Sequence, residues 1–178
     1  MLNRQDTGLM IVDVQGKLAE IVHESDELLR QLRILLQGAE VLELPIVWVE
    51  QLPDKLGATH DSIAPLIPGQ ALVKNTFNGM ANPTIAEAVR EADCANWLVA
   101  GIETHICVYQ TVAGLLDSGY RVEVITDAVS SRIEPNKQMG IDKMASLGAR
   151  LTSVEMALME LQTVAEGEGF RRLIQLIK

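Results

Sequence analysis

Three reactive side chains follow three separate apolar runs of the chain. Asp13 comes at the end of the first run, Lys74 directly follows another, and Cys107 lies just beyond a third, where a helical pattern begins. Unpaired N–H groups at the start of a helix and a lysine ammonium both favour a thiolate. A carboxylate can take the thiol proton and later return it to a leaving amine. The three residues are therefore the components of covalent thiol catalysis.

Each of these residues also has a purely structural explanation. Free cysteine is among the most buried residue types, so Cys107 could simply fill the core. Asp13 could cap a turn, and Lys74 could be a solvated surface residue. The three lie far apart in the chain, so only a fold that brings them together would favour the chemical interpretation.

The apolar runs alternate with stretches of helical periodicity along the whole chain. The sequence predicts six strands, at residues 8–14, 46–49, 71–73, 97–102, 121–125 and 150–154. It predicts helices at 25–44, 83–93, 106–118 and 135–148, with further helices at the end of the chain. Strands separated by such helices form βαβ units, which require a parallel sheet covered on both faces. We therefore predict an α/β fold, a three-layer α/β/α sandwich with a six-stranded parallel sheet, in one domain over residues 1–178.

This architecture would place the three reactive residues at one edge of the sheet. Ligands of open parallel sheets bind outside the carboxyl ends of the strands, which is where Asp13, Lys74 and Cys107 fall. The longest irregular stretch, residues 50–70, contains three prolines and two glycines. A loop of this length is often a lid or a binding loop. A surface loop covered by a partner is the alternative explanation.

The composition excludes several classes of function. The chain has 178 residues, of which 48% are hydrophobic and 3% aromatic, and its formal net charge is −9. This charge argues against nucleic-acid binding, which needs clustered lysine and arginine. No apolar run approaches the length of a membrane span, and the polar start MLNRQDTG has no signal-peptide core. Two cysteines are too few for a disulfide framework. We therefore expect a cytoplasmic protein that binds neither nucleic acid nor membrane.

The residues around the cysteine carry a family resemblance. The string GIETHICV at residues 101–108 resembles the nucleophile motif of the isochorismatase-like cysteine hydrolases. Asp13-Val14-Gln15 is similar to the Asp-x-Gln opening of that family, and Val73-Lys74 before Phe77 is similar to its lysine segment. With DAVSSR at 127–132, the chain looks most like the small isochorismatase-domain-containing hydrolases. The resemblance extends from about residue 8 to about residue 159.

The resemblance implies a role for each site residue. Cys107 would be the nucleophile, Asp13 the general acid and base, and Lys74 the cation that helps to ionise the thiol. It also implies a non-proline cis peptide at Ile102–Glu103, with the backbone N–H groups of Glu103 and Cys107 forming an oxyanion hole. Members of the family are generally homo-oligomeric, so we expect a homo-oligomer of this chain.

Departures from the family pattern reduce the number of activities that the chain could have. Nicotinamidases of the family carry a metal site after the second strand, where this chain reads Val49-Glu50-Gln51-Leu52 with only His60 downstream. One carboxylate and one imidazole do not complete a zinc shell. We therefore predict no metal and no cofactor, and we do not expect nicotinamidase activity. True isochorismatases act on a vinyl ether without this cysteine, so Cys107 argues against that reaction.

Several further residues are candidates for the substrate pocket. The candidate lining residues, each of which could equally belong to the core, are Gln15, Trp48, Phe77, Thr104 and Tyr109. His105 could pair with Cys107 only if the turn between them is not helical, because side chains two residues apart diverge on a helix. Cys94 has no neighbouring cation in sequence and serves as an internal comparison for Cys107.

The end of the chain carries an apolar stripe at helical spacing, formed by Phe170, Leu173, Ile174 and Ile177. This stripe predicts a helix that packs either on the core of the domain or against another subunit.

These observations lead to a functional prediction and an alternative. We expect a hydrolase of a small amide or carbamoyl substrate that forms a thioester on Cys107. The alternative is a catalytically silent member of the family that acts as a scaffold or binding protein. Thiol reactivity separates the two, because a scaffold needs no activated cysteine.

Overall fold

A six-stranded, all-parallel β-sheet forms the centre of the structure, a computed structural model that describes residues 1–178. Along the sheet the strand order is β3-β2-β1-β4-β5-β6. The strands are β1 (Thr7–Val12), β2 (Ile46–Gln51), β3 (Leu72–Lys74), β4 (Asn96–Ile102), β5 (Arg121–Ser130) and β6 (Arg150–Thr152). The predicted α/β fold with six parallel strands is confirmed.

Eight α-helices connect and cover these strands: α1 (Gly16–Ile21), α2 (Ser25–Val41), α3 (Pro53–Leu56), α4 (Pro83–Glu91), α5 (Tyr109–Asp117), α6 (Glu134–Ser146), α7 (Val154–Gln162) and α8 (Gly167–Ile177). Short 3₁₀ turns occur at Arg4–Asp6, Ala64–Leu66 and Gly79–Ala81, and a π-helical turn spans Thr104–Val108. None of the helices combines the length and the hydropathy that crossing a bilayer requires.

The helices divide between the two faces of the sheet. Apolar residues of α2, α7 and α8 pack on one face, and those of α4, α5 and α6 pack on the other. Because both faces are covered, β1 and β4 are buried at every position, as their continuous apolar sequences predict. The C-terminal stripe packs on the core of this chain, since Leu173 of α8 is fully buried in the α2 side of the core.

The strand boundaries differ from the predicted ones where backbone geometry overrides the apolar pattern. β1 ends at Val12, because Asp13 adopts a left-handed conformation with φ of 50° that turns the chain out of the sheet. Lys74 is the last residue of β3 rather than the first residue after it. β5 continues five residues beyond the prediction, to Ser130, since it pairs again with the end of β4 after a register shift.

The predicted long loop begins later and is more ordered than its sequence indicates. β2 continues to Gln51, and the following segment contains α3 and the 3₁₀ turn Ala64–Leu66. It folds back on the chain that leaves β1: the N–H of Gly16 donates to Ala58, and the N–H of His60 donates to Val14. The segment is therefore held beside the carboxyl end of β1.

The order of the strands also determines where a site can form. The chain runs from β1 outward to β3 in one direction and from β4 outward to β6 in the other. The connections leaving β1 and β4 therefore diverge and open a crevice at the carboxyl ends of these two central strands. Asp13 follows β1 and the cysteine-bearing turn follows β4, so both begin at this crevice.

Candidate functional site

Asp13 and Lys74 form a buried ion pair at the carboxyl edge of the sheet. The Nζ of Lys74 donates to the Oδ2 of Asp13 at 2.7 Å, and the two side chains are 0% and 5% exposed. The pair forms because β2 lies between β1 and β3, so Lys74 reaches across the end of β2 to the end of β1. Desolvation of the carboxylate raises the pKa of Asp13, although the neighbouring ammonium of Lys74 opposes that rise.

Two further acceptors hold the lysine in place. Lys74 also donates to the Oε1 of Gln51 at 2.6 Å and to the carbonyl of Thr76 at 3.2 Å. All three N–H bonds of the ammonium therefore have acceptors in the protein. The Oδ1 of Asp13, in contrast, is buried and has no hydrogen-bond partner. The carboxylate is consequently anchored by one oxygen and keeps the other available to a neighbouring group.

Cys107 lies beside this ion pair, in the middle of the π-helical turn rather than at the start of α5. The thiol lines the same cavity as Asp13, and the charges of Asp13 and Lys74 both act on it. Burial, followed by the negative charge of Asp13, raises the pKa of Cys107 to about 12, while Lys74 opposes this rise. Lys74 thus favours ionisation of the thiol, whereas burial and the charge of Asp13 oppose it and outweigh the lysine.

The turn that carries Cys107 begins at an unusual peptide bond. The bond between Ile102 and Glu103, for which the family resemblance implies a cis peptide, is cis. Glu103 is 7% exposed, and its backbone N–H donates to no acceptor in the protein. An unpaired N–H near a reactive thiol can stabilise a developing oxyanion.

A glycine allows this turn to approach β1. Gly101 has φ of +126°, and a Cβ there would lie 2.0 Å from the carbonyl oxygen of Val12. Only a residue without a side chain fits between the two strands at this point. The close approach places the end of β4 directly beside Asp13.

The Glu103 side chain is held by Arg132, which lies just beyond the end of β5. Both the backbone N–H and the Nε of Arg132 donate to its Oε1, at 3.1 and 3.0 Å. Nothing in the sequence predicts Arg132 as a site residue beyond its place in the DAVSSR string, which follows the predicted strand at 121–125.

A cavity of about 320 Å³ opens above these groups. Asp13, Cys107 and Glu103 line it together with Gln15, Gln51 and Arg132, and the remaining walls are Leu18, Leu56, Phe77, Ile102 and Ile106. Of the larger grooves elsewhere on the surface, one of about 370 Å³ is lined by Cys94 but lies at the opposite end of the sheet, and one of about 560 Å³ beside Pro65 and Pro68 contains no cysteine. The cavity therefore combines an apolar interior with a small number of polar groups at its base, which is typical of small-molecule sites.

The predicted lining residues divide into two groups. Gln15 and Phe77 line the cavity, and Phe77 is 55% exposed at its edge. Trp48 packs in the core on the α2 side of the sheet, and Tyr109 packs on the opposite side, so neither reaches the cavity. Thr104 is fully buried and does not line the cavity, and its backbone lies against Gly140 of α6. These three predictions were wrong because the direction of a side chain depends on how its strand, turn or helix packs in the fold, which the sequence alone does not show.

Gln15 supports the site rather than only lining it. Its Oε1 accepts from the N–H of Gln51 at 2.6 Å, and its Nε2 donates to the carbonyls of Gln51 and Gly57. Nearby, the Oε1 of buried Glu50 accepts both the N–H and the hydroxyl of Thr59. These contacts attach the 52–60 segment to the end of β2, which explains why Leu56 of that segment reaches the cavity.

The remaining histidine and cysteine lie away from the reactive pair. The Nδ1 of His105 contacts Ser131 at 2.9 Å and its Nε2 contacts Asn136 at 3.2 Å, so no ring nitrogen is left for Cys107. A Cys–His dyad is therefore absent. Cys94 contacts the carbonyl of Ala92 at the opposite end of the sheet. No cluster of three or more histidine, cysteine, aspartate or glutamate side chains is arranged to hold a metal ion.

Comparison with known proteins places the chain in a family. Residues 7–156 match the family model for the isochorismatase domain. A secreted isochorismatase effector, Isc1, from Phytophthora sojae is 32% identical, over 96% of this chain and 83% of its own length.

Two solved structures have the same architecture. A structure described as MAR1 ribonuclease from Caenorhabditis elegans superposes with a TM-score of 0.91 at 29% identity, over 99% of this chain and 91% of that chain. The Escherichia coli YcaC gene product, described as an octameric hydrolase of unknown specificity, superposes with a TM-score of 0.92 at 22% identity, over 98% and 89%. The family match extends from β1 into α7 and thus includes every residue that lines the cavity. The chain belongs to the isochorismatase family of hydrolases.

Proposed function

We propose that this protein is a cysteine-dependent hydrolase of a small amide or carbamoyl substrate, acting through a thioester on Cys107. The observation that carries the proposal is the pairing of Cys107 with a carboxylate whose second oxygen is unpaired. Asp13 is anchored to Lys74 through Oδ2, and its Oδ1 has no partner in the protein. A carboxylate held in this way can take a proton from the adjacent thiol without first breaking a hydrogen bond.

The first half of the reaction forms the thioester. The Sγ of Cys107 attacks the amide carbon while the thiol proton passes to Asp13. Because the pKa of Cys107 is raised to about 12, this proton transfer accompanies the attack rather than preceding it. The negative charge that develops on the substrate oxygen is stabilised by the N–H groups of Glu103 and Cys107. The C–N bond then breaks, and Asp13 donates the proton to the departing ammonia or amine.

The second half of the reaction releases the product. A water molecule attacks the thioester carbon, and Asp13 accepts its proton. The C–S bond breaks, the thiolate is protonated again, and a carboxylic acid leaves. The role of Lys74 is to keep one carboxylate oxygen of Asp13 fixed while the other carries the proton.

The cavity supports a small and largely apolar substrate. Its volume of about 320 Å³ is at the lower end of the range for small-molecule sites, and five apolar side chains form most of its walls. A short aliphatic or aromatic amide would place its apolar part against these side chains and its amide group at Cys107. We therefore expect faster turnover of apolar amides than of highly polar ones.

The test measures ammonia release from a panel of short aliphatic and aromatic primary amides. We expect release by the wild-type protein and by Cys94→Ala, and none by Cys107→Ala or Asp13→Asn. Intact-protein mass spectrometry during turnover should show an added acyl group on the wild type. Full activity in Cys107→Ala would refute the mechanism. So would a wild type that turns over no amide and whose Cys107 binds no small aldehyde.

The comparison with the C. elegans structure raises hydrolysis of RNA as a second candidate. The net charge of −9 does not favour a polyanionic substrate, and the cavity places the carboxylates of Asp13 and Glu103 where a phosphate would have to bind. We therefore propose that the chain binds neither nucleic acid nor membrane. Retention on heparin at physiological salt, with release of nucleotides from RNA, would favour the second candidate.

We also propose that the whole chain forms one domain and assembles into a homo-oligomer. The YcaC structure is described as octameric, and two apolar side chains at the edge of the cavity here, Leu56 and Phe77, are 42% and 55% exposed. Size-exclusion chromatography with light scattering tests the assembly. A monomer at all concentrations would contradict it.

We propose a cytoplasmic location, because both cysteines are free and buried. The P. sojae relative is by its name secreted, so the two proteins would differ in location. Fractionation of expressing cells, with the protein found only in the medium, would contradict this proposal.

A further inference from the structure

His105 lies halfway along the turn that joins Glu103 to Cys107, and its side chain is bound at both ring nitrogens. Nδ1 contacts the hydroxyl of Ser131 at 2.9 Å, and the Nδ2 of Asn136 contacts Nε2 at 3.2 Å. Both ring nitrogens therefore have a hydrogen-bonding partner in the protein, and these two contacts fix the orientation of the ring.

These two contacts connect the turn to two different elements. Ser131 is fully buried just beyond β5, and Asn136 lies in the first turn of α6. The backbone of α6 also touches the turn directly, because a Cβ on Gly140 would lie 2.8 Å from the carbonyl carbon of Thr104. His105 thus connects the turn both to the chain that leaves β5 and to the start of α6.

The position of His105 between the two backbone donors gives this connection a function. The N–H groups of Glu103 and Cys107 must converge on one oxygen, and their relative direction depends on the backbone torsions of the residues between them. A displacement of about 1 Å can cost a hundredfold in rate when reacting groups must be aligned. A side chain that anchors the middle of the turn therefore determines whether the two donors converge.

We propose that His105 is a positioning residue that holds the oxyanion-stabilising turn through Ser131 and Asn136. It acts on the backbone donors and not on the thiol, since neither ring nitrogen is free to contact Cys107. This inference rests on the proposed function, because it assigns a purpose to the geometry of the same turn. It predicts that loss of His105 impairs stabilisation of a tetrahedral oxygen more than it changes access to the cysteine.

A small apolar aldehyde separates the two effects. With 3-methylbutanal, the Sγ of Cys107 forms a bond to the carbonyl carbon and the thiol proton is transferred to the carbonyl oxygen, giving a hemithioacetal with no other reactant. The resulting oxygen occupies the place of the oxyanion, so the dissociation constant of the adduct reports on the turn. Alkylation by iodoacetamide without aldehyde displaces iodide and reports on the thiol alone. Peptide mass spectrometry reads both at Cys107, with Cys94 as the internal reference.

We expect His105→Leu to weaken aldehyde binding about 10- to 100-fold, by analogy with the loss of one oxyanion donor, while alkylation of Cys107 stays within about threefold of wild type. Asn136→Ala removes one anchor from outside the turn and should give the same pattern to a smaller extent. His105→Asn keeps the contact with Ser131 and should restore part of the affinity. His23→Gln is the matched control, since its ring faces Glu24 at 3.7 Å, and it should behave as wild type.

Three results would overturn the inference. The first is unchanged aldehyde affinity in both His105→Leu and Asn136→Ala. The second is a parallel loss of affinity and of alkylation rate, which would mean that the variants displace the thiol itself. The third is a wild-type protein in which no aldehyde protects Cys107 from alkylation. Unlike the other two results, this one would also refute the proposed function.

Discussion

Replacement of Lys74 by methionine tests the electrostatic core of the site. The change keeps a long apolar side chain but removes the cation that lies 2.7 Å from Asp13. At an effective dielectric constant of about 20, the attraction across this distance has an upper limit of about 6 kcal/mol. Removing one partner of a buried ion pair lowers the free energy of unfolding by about 3–5 kcal/mol, because the other charge stays buried and unpaired. Both side chains are nearly inaccessible, so solvent screening reduces this value little.

The loss should depend on pH with a definite sign. Burial already raises the pKa of Asp13 above its usual value, and the Lys74→Met change raises it further because it removes the opposing cation. A carboxyl with a raised pKa in the folded state destabilises the fold as pH rises, since it keeps a proton that the unfolded chain has released. The difference in free energy of unfolding between variant and wild type therefore grows as pH rises from the wild-type pKa of Asp13 to its pKa in the variant. This difference changes by at most about 1.4 kcal/mol per pH unit.

Urea unfolding at pH 5 and pH 8, followed by tryptophan fluorescence at one protein concentration, measures this effect. We expect Lys74→Met to lose about 3–5 kcal/mol at pH 8 and at least about 1.4 kcal/mol less at pH 5. The matched control is the double variant Asp13→Asn with Lys74→Met, which loses the same contacts to Gln51 and Thr76 but leaves no buried charge. It should be more stable than Lys74→Met at pH 8. Equal losses at both pH values, or a double variant no more stable than the single one, would refute the reasoning.

Three further variants test other parts of the site. Asp13→Asn should lower the pKa of Cys107, because the change removes a negative charge that raises this pKa and leaves the lysine in place. Alkylation of Cys107 at pH 8 should therefore be faster than in wild type, while hydrolysis is lost. Slower alkylation would contradict this prediction. Gly101→Ala should destabilise the fold by about 3 kcal/mol or more in thermal unfolding, since its Cβ would lie 2.0 Å from the β1 backbone, and an unchanged melting temperature would contradict the close packing. Gln15→Leu should lower the free energy of unfolding by about 2–4 kcal/mol, because it leaves two backbone groups of β2 unpaired. It should also speed proteolysis within residues 52–70. Cleavage at the wild-type rate would show that Gln15 does not hold that segment.

The residues that could do chemistry were evident in the sequence, because carboxyl ends of parallel strands share one edge of the sheet. The apolar runs before Asp13 and Cys107 showed that both follow buried strands, and the alternation with helices showed that these strands are parallel. The structure brings Asp13, Lys74 and Cys107 together on this basis. The boundary errors at Asp13 and Lys74 did not matter, since a residue at either side of a strand end reaches the same edge.

The local pattern failed where tertiary contacts determine direction or charge. Trp48 and Tyr109 have the residue types of a pocket wall, but the packing of β2 and α5 places them against the two cores. The lysine favours an ionised thiol, as its residue type suggested, but burial and the charge of Asp13 outweigh it and raise the pKa of Cys107. Gln51 and Arg132 were missed as site residues, because their roles depend on contacts with residues more than 20 positions away.

The sequence by itself determined the α/β class, the parallel sheet and the edge at which a site would form. These features follow from residue periodicity and from the handedness and burial rules of βαβ units, both of which are local properties of the chain. Only the tertiary structure decided which polar groups share the cavity, which of their atoms remain unpaired, and how the thiol and the carboxylate share a proton. These properties depend on distances of a few ångströms between segments far apart in the chain and on the solvent that packing excludes, and periodicity carries no information about either.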